Sequence, residues 1–181
     1  MTSSPAGRDD PTLVGALDQM ERLIAAVAPD QMSLPTPCSD WDVRDLLQHV
    51  VDGTGRFASM AAGQRVDWTA ARPDPLGDDP ATAWRQGRVR LLLAIREHPE
   101  PASRVLPMLV IECAVHAWDL ATATGRAGLL DPALAEGALG LAQQNLTAQA
   151  RAGNTAFGPE VPVSPDALPY DRLAGFLGRH P

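Results

Sequence analysis

The segment of residues 110–120 is the feature that most constrains the fold of this chain. Its sequence, Val-Ile-Glu-Cys-Ala-Val-His-Ala-Trp-Asp-Leu, is typical of a buried helix but contains two ionisable side chains, Glu112 and His116. Residues four apart on a helix point to the same face. A carboxylate and an imidazole are costly to bury unless they are paired or bind a metal. The pair therefore predicts a first-row metal site that needs at least one ligand from elsewhere in the chain.

Other segments show the same helical spacing, with apolar residues at steps of three and four. No segment shows convincing β alternation. Pro99, Pro101 and Pro107 predict a turn before the fourth helix, and Ser39 or Asp40 is the expected cap of the second. Five to six helices joined by intervals suited to antiparallel packing predict an all-α four-helix bundle with extra short helices. The predicted helices run over residues 11–28, 40–62, 81–97, 108–124, 132–150 and 170–177.

Bulk properties exclude several classes of function. The chain has 181 residues, 45% of them apolar, which fits a single globular domain over residues 11–181 after a flexible N-terminus of residues 1–10. The net charge of -7 argues against nucleic acid and anionic membranes as partners. We find no signal peptide and no apolar run of the ~20 residues that would span a bilayer. A cytoplasmic protein is therefore expected.

The missing ligand is sought among the four His residues. His98 lies at a helix end and His180 beside the terminus, whereas His49 lies mid-helix among Leu and Val residues and is expected to face inward. His49, Glu112 and His116 would form a two-His, one-carboxylate set, which is typical of catalytic zinc and also suits Fe(II) or Ni(II). Asp119, three residues after His116, can orient a ligand His or enter the site directly.

Simpler interpretations of the same residues remain open at this point. Glu112 and His116 can be a surface pair or a core pair that is hydrogen-bonded to an Arg, and His49 can be a satisfied core His. Cys113, beside Glu112, points to another face, so a small buried apolar role is favoured for it. Cys38 lies in a Pro-rich loop and is interpreted as a packed loop residue rather than a redox centre.

Two motifs carry a resemblance to a known family. Residues 34–50, Leu-Pro-Thr-Pro-Cys-Ser-Asp-Trp-Asp-Val-Arg-Asp-Leu-Leu-Gln-His-Val, resemble the opening of the maleylpyruvate isomerase N-terminal family, and residues 112–121 resemble its second motif. The family belongs to the DinB-like superfamily of metal-binding four-helix bundles, and the likeness covers nearly the whole chain. It implies that His49, Glu112 and His116 are metal ligands, usually for zinc. It also implies a low-molecular-weight thiol as cofactor or co-substrate, which is mycothiol in actinobacteria.

Three hypotheses for function follow. The first is a metal-dependent, thiol-using transferase or isomerase acting on a small electrophile, with Asp119 as an orienting or acid/base group. In this hypothesis Arg56, two turns from His49 on the same face, is a candidate for contact with a carboxylate of the substrate or the thiol, and Arg44 is a weaker candidate. A solvated Arg is the favoured interpretation of both residues. The second is a non-catalytic bundle that binds metal or a small ligand as a sensor, sequestering protein or structural dimer. The third is a metal hydrolase with Asp119 as general base.

Two further expectations come from the resemblance. The characterised isomerases carry an additional C-terminal domain, and the sequence shows none, so a stand-alone thiol transferase is expected rather than maleylpyruvate isomerisation. Homodimers are common in the superfamily, so a homodimer is expected by analogy. All 15 basic residues are Arg, which indicates a GC-rich genome such as that of an actinobacterium.

Overall fold

The computed structural model describes residues 10–38, 40–70, 73–147 and 157–181, and within these ranges the fold is all-α, as the sequence predicts. An antiparallel bridge between Pro35 and Asp42 is the only β pairing in the described ranges. Short 3-10 helices at Pro29–Gln31 and Ala127–Leu129 join longer elements. The α-helices of the described ranges are α1 (Pro11–Ala26), α2 (Val43–Ala61), α3 (Pro80–Glu97), α4 (Pro99–Thr124), α5 (Pro132–Asn145) and α6 (Pro169–Phe176).

The first four helices form a four-helix bundle of the DinB-like type. Helix α1 packs mainly against α3 and α4, and α2 packs mainly against the same two helices, so α1 and α2 lie diagonally across the bundle. Helix α5 packs on α4, and α6 packs on α5 and α4. Helix α4 therefore contacts all the other helices in the described part of the chain, and the α2–α4 interface is where its Glu and His meet residues of α2.

Helix α4 corrects the expected position of a turn. It begins at Pro99, nine residues before the predicted start at Met108, and Pro107 lies inside it. Proline is tolerated in the first turn because its missing N–H would have no helical partner there. At Pro107 one helical hydrogen bond is lost, but Leu106 and Leu109 on either side are at most 6% exposed. Burial of these neighbours on the core offsets the lost bond.

Helix α4 is long and apolar enough to cross a membrane. This differs from the sequence analysis, which found no apolar run of that length. However, 72% of its most apolar window is buried inside the protein. Because the five other helices that the structure describes pack against it, its apolar character is explained by its central place in the bundle.

Capping side chains fix where the first two helices begin. Asp10 caps α1 by accepting bonds from the backbone N–H groups of Thr12 and Leu13, while the rest of the expected flexible N-terminus lies outside the described residues. Asp42 caps α2 by accepting a bond from the backbone N–H of Asp45, and the Asp45 side chain accepts a bond from the backbone N–H of Asp42. The expected caps were different: Ser39 lies outside the described residues, and Asp40 is in the left-handed region with φ 72°. The last predicted turn of α5, residues 148–150, also lies outside the described residues.

Candidate metal centre

His49, Glu112 and His116 meet at the α2–α4 interface. The Oε2 atom of Glu112 lies 3.2 Å from Nε2 of His116 and 3.5 Å from Nε2 of His49. One donor atom from each residue lies within 4.8 Å of the others. The three residues predicted from the sequence as ligands are thus brought together and form a group that could hold a metal ion.

The cluster lies at the border between the core and the solvent. The side chain of His116 is 6% exposed, that of Glu112 16% and that of His49 28%. The ring centroid of His49 lies 4.8 Å from those of both Trp41 and His116. One side of the cluster is therefore held by packing while the His49 side can be reached from outside.

Asp119 is not part of this group, because it binds the opposite edge of the His116 ring. Its Oδ2 lies 2.9 Å from Nδ1 of His116, and its side chain is fully buried. A carboxylate that accepts a hydrogen bond from Nδ1–H fixes the imidazole tautomer that leaves Nε2 free to ligate. Of the two roles predicted for Asp119, the geometry favours orientation of a ligand over direct entry into the site.

Arg179 holds Asp119 from the other side. Its Nη2 lies 3.1 Å from Oδ2 of Asp119 and its Nε lies 3.4 Å from Oδ1, and its Nη1 donates to the Leu177 carbonyl. The side chain is 8% exposed. Burial alone would lower the pKa of Arg179, but the contact with Asp119 outweighs it and raises this pKa, so the guanidinium stays charged. His116, Asp119 and Arg179 therefore form a continuous buried chain of charge-assisted bonds.

The fold of the C-terminal segment positions Arg179 beside Asp119. Helix α6 is fixed to α1 by a bond from the Gln19 side chain to the Tyr170 hydroxyl and to α4 by a bond from Trp118 to Asp171. The chain then turns at Gly178, where φ is +87°. A Cβ at Gly178 would lie 2.8 Å from Cα of Gly158, so both the conformation and the close approach require glycine.

Sequence reasoning did not find Arg179. Its position is 60 residues from Asp119. The only local signal is an Arg that directly follows the Gly after an apolar helix, and this pattern is common in surface turns. The simpler interpretation that included an Arg placed it beside Glu112 and His116, and nothing in the sequence indicates an Arg beside Asp119.

Hydrogen bonds reshape the pKa values of the cluster in the absence of metal. Burial alone would raise the pKa of Glu112, but its bonds with His116 and His49 outweigh burial and hold this pKa far below its usual range. Burial alone would lower the pKa of His116, but its bonds with Asp119 and Glu112 raise it to about 9. At neutral pH the metal-free protein therefore holds an anionic Glu112 beside a protonated His116.

A second group of donors shares His116 with the first. Cys38, His116 and Asp119 also place one donor atom each within 4.8 Å of one another. However, Arg179 already lies against two of them, 3.1 Å from Asp119 and 3.9 Å from the Cys38 sulfur. Burial and the Asp119 charge raise the pKa of Cys38 to about 11, so its thiol stays protonated at neutral pH. The guanidinium supplies the positive charge here, and the group with Glu112 is the better candidate for a metal ion.

An outer cavity of about 420 Å³ opens onto the cluster. We use this name for the space bounded by the three candidate ligands, Cys38, Trp41 and the C-terminal residues 177–179. A volume of this order is typical of small-ligand sites. Polar and apolar walls are both present, so the cavity can take a small molecule with a charged or hydroxylated part.

Arg56, predicted to contact a thiol, is not brought to this cavity. Its Nε pairs with Asp52, its two Nη atoms donate to the carbonyls of Asp67 and Ala70, and its Cζ lies 5.4 Å from the ring centroid of Trp68. The side chain is 6% exposed. These contacts favour a role in holding the connection between α2 and α3, and the thiol-binding role stays a prediction. Arg44 is exposed and paired with Asp74 at 2.6 Å.

Comparison with known proteins identifies the family of this chain. The family described as Mycothiol maleylpyruvate isomerase N-terminal domain matches residues 13–121, more than half of the chain. The chain belongs to this family. The matched range contains His49, Glu112, His116 and Asp119, whereas Arg179 lies beyond it.

Two relatives of the chain are proteins of Mycobacterium tuberculosis, one from strain CDC 1551 / Oshkosh and one from strain ATCC 25618 / H37Rv. Both are named as uncharacterized. Each is 34% identical to this chain over 172 residues, covering 91% of the chain and 93% of the relative. No solved structure shows a significant match. The similarity thus extends well beyond the family match and over the C-terminal half.

Proposed function

We propose that the protein is a metal-dependent, thiol-using transferase or isomerase that acts on a small electrophile. His49, Glu112 and His116 would hold one divalent cation, with zinc favoured and nickel or iron(II) as alternatives. The thiol would be a low-molecular-weight one of the mycothiol type, as the family description suggests. A cytoplasmic location goes with this proposal, because such thiols are kept reduced there.

The observation that carries the proposal is a three-donor set that faces a cavity and has no fourth protein ligand in the described residues. Two imidazoles and one carboxylate that leave a position open are typical of catalytic rather than structural zinc. A structural site would be closed by another ligand, and Asp119 was the residue expected to close it. Instead, Asp119 bonds to the far nitrogen of His116 and to Arg179.

The donor chemistry fits the proposed cation. A divalent cation held by these ligands would lower the pKa of a ligated thiol and polarise an electrophile. The protein's own thiols are poorly suited to the nucleophilic role, because burial raises the pKa of Cys113 to about 12 and that of Cys38 to about 11. An external thiol is therefore the better nucleophile.

Each part of the chain has a separate role in this proposal. Asp119 holds the His116 ring in the ligating tautomer, and Arg179 fixes Asp119. Trp41 covers one side of His49 and forms a wall against which a ligand in the outer cavity can pack. The outer cavity leaves room for the polar part of a thiol and for the electrophile.

The hydrolase hypothesis receives less support. It needs a general base that can take a proton from water, and Asp119 was the only candidate. Asp119 is fully buried and bonded to both His116 and Arg179, so it has no free position toward the outer cavity. The non-catalytic hypothesis predicts metal binding without thiol chemistry, and the next experiment separates it from the first.

The test uses cobalt(II)-loaded protein with mycothiol or N-acetylcysteine, and 1-chloro-2,4-dinitrobenzene as electrophile. We expect the thiol to produce a sulfur-to-cobalt charge-transfer band. We also expect faster formation of the aryl thioether, in which the carbon–sulfur bond replaces the carbon–chlorine bond and chloride and the thiol proton leave. Cys38→Ser should retain both signals, and Glu112→Gln should lose both. Cobalt binding with no thiol-dependent band and no acceleration would favour the non-catalytic hypothesis.

A further inference from the structure

A second, much smaller cavity also touches the cluster. Its volume is about 20 Å³, and His49, Glu112 and His116 form part of its wall. We call it the inner chamber. The rest of the wall is mainly the buried apolar side chains of Met20, Val50, Phe57, Trp84 and Leu109.

Gly53 forms part of the chamber wall at an unexpected place for glycine. It is buried in the interior of α2, one turn after His49, where glycine is less favourable than alanine. Apart from its own turn of helix, a Cβ built at Gly53 would meet no atom of the described residues within 4 Å. Neither packing nor backbone conformation therefore requires glycine here, and its effect is to keep space open beside the cluster.

Gly87 provides a contrast on the neighbouring helix. A Cβ at Gly87 would lie 2.0 Å from Oγ1 of Thr54, so glycine allows α2 and α3 to approach closely. Thr54 follows Gly53 directly in the chain and also lines the chamber. Helix packing therefore explains Gly87, which faces Thr54 of α2, but it does not explain Gly53, the residue before Thr54.

The size and character of the chamber restrict what it can hold. A cavity of this volume takes a group of about one or two heavy atoms, and its wall is mainly apolar. A charged or hydroxylated group would lose its hydration there and find few polar partners, because the wall is mainly apolar. The polar part of a ligand would remain in the outer cavity, which shares the same three candidate ligands.

We propose that the inner chamber is a subsite for a short, unbranched apolar substituent on the molecule held at the cluster. The identity of that molecule rests on the proposed function, whereas the chamber and its apolar selectivity do not. The chain would accept ligands whose apolar arm is about the size of a methyl or ethyl group. It would discriminate against branched arms, which the chamber cannot enclose.

Gly53→Ala is the direct test, because its methyl group would fill the chamber without a clash. Gly140→Ala is the matched control: Gly140 lies inside α5, its Cβ would also meet nothing within 4 Å, and it borders neither cavity. Cobalt(II)-loaded proteins would be titrated with methanethiol, ethanethiol and 2-methyl-2-propanethiol. In the wild type and Gly140→Ala we expect about fourfold tighter binding of ethanethiol than methanethiol. The branched thiol should bind weakest. Gly53→Ala should lose the fourfold gain, and equal ratios in all three proteins would overturn the proposal.

Xenon binding by metal-free protein tests the chamber separately. We expect a saturable 129Xe NMR shift in the wild type and in Gly140→Ala, and its loss in Gly53→Ala. No xenon binding by the wild type, or equal binding by Gly53→Ala, would overturn the chamber as an apolar site. Failure of all three proteins to bind cobalt, with xenon binding still dependent on Gly53, would refute the metal centre while supporting the chamber.

Discussion

Arg179 and Asp119, 60 residues apart in the sequence, form a two-point ion pair in the interior of the protein. The two contacts, 3.1 Å and 3.4 Å, use both oxygens of a carboxylate that has no exposed surface. Oδ2 of the same carboxylate also binds His116, 2.9 Å away. The C-terminal segment is therefore coupled to the ring that would ligate the metal.

Arg179→Met should strongly destabilise the metal-free protein. The substitution leaves the Asp119 charge buried without its guanidinium partner, which typically costs about 3 kcal/mol of the free energy of unfolding. The double variant Arg179→Met/Asp119→Asn should recover about half of that loss, because it removes the unpaired charge. Urea unfolding followed by circular dichroism measures both changes. Arg85→Met, which breaks the exposed Arg85–Asp79 pair, is the control and should have little effect.

Asp119→Asn should weaken metal binding about 10- to 100-fold. The Asn amide can donate to Nδ1 of His116 and so favour the tautomer that carries its proton on Nε2, the ligating nitrogen. Competition with a chromophoric chelator measures the affinity. Asp171→Asn is the matched control, because Asp171 accepts a bond from Trp118 on the same helix but does not touch the cluster. Equal affinities for the two variants would contradict the role given to Asp119.

The protonation of His116 predicts opposite effects of pH on stability and on metal binding. Burial opposes the charge, but bonds to Asp119 and Glu112 raise the pKa of His116 from 6.5 to about 9. The resulting stabilisation of the metal-free protein is complete below pH 6.5 and is lost as the pH rises through 9. Metal binding must displace this proton, so affinity should rise about tenfold per pH unit over the same window.

Calorimetry checks the proton that is released. Titration of zinc into the protein at pH 7.5, in two buffers with different ionisation enthalpies, should show release of about one proton from His116 per metal bound. Unfolding of the metal-free protein at pH 6.5 and pH 9.5 gives the change in stability. A metal affinity that stays constant between these pH values would show that His116 is not a ligand.

Arg56→Lys should loosen the connection between α2 and α3 without removing the metal site. Lysine keeps the charge but cannot bond Asp52 and the two carbonyls of Asp67 and Ala70 together. We expect faster proteolysis within residues 62–79 and unchanged metal content. Arg65→Lys, an exposed residue of the same connection, is the control. A loss of thiol binding with an intact connection would instead support the original prediction that Arg56 contacts the thiol.

Local patterns explain why most of the helical architecture is predictable. The apolar spacing in α1 and α3 places their ends within one or two residues of the observed ones. The start of α4 is missed because Pro99, Pro101 and Pro107 indicate a turn when considered individually. Only the packed bundle shows that burial on both sides of Pro107 outweighs one lost hydrogen bond.

The residues of the candidate site also fall into those that local sequence patterns predict and those that they do not. Glu112 and His116 are recognisable because two ionisable groups share one face of an apolar helix, and His49 because it interrupts another apolar stripe. Arg179 and the gap beside Gly53 depend on how distant segments meet in space, and the sequence near them carries no sign of it. The thiol contact predicted for Arg56 rests on helical spacing alone and stays a prediction, because spacing does not show which carbonyl groups a side chain will meet.

The central claim is that His49, Glu112 and His116 bind one divalent metal ion. The most direct test is elemental analysis of protein purified without an affinity tag, alongside His49→Ala and Cys38→Ala. We expect about one zinc or nickel ion per chain in the wild type and in Cys38→Ala, and none in His49→Ala. Absence of metal from the wild type, even after zinc or nickel is added, would contradict the account. So would retention by His49→Ala with loss from Cys38→Ala, which would place the ion at the group with Asp119 instead.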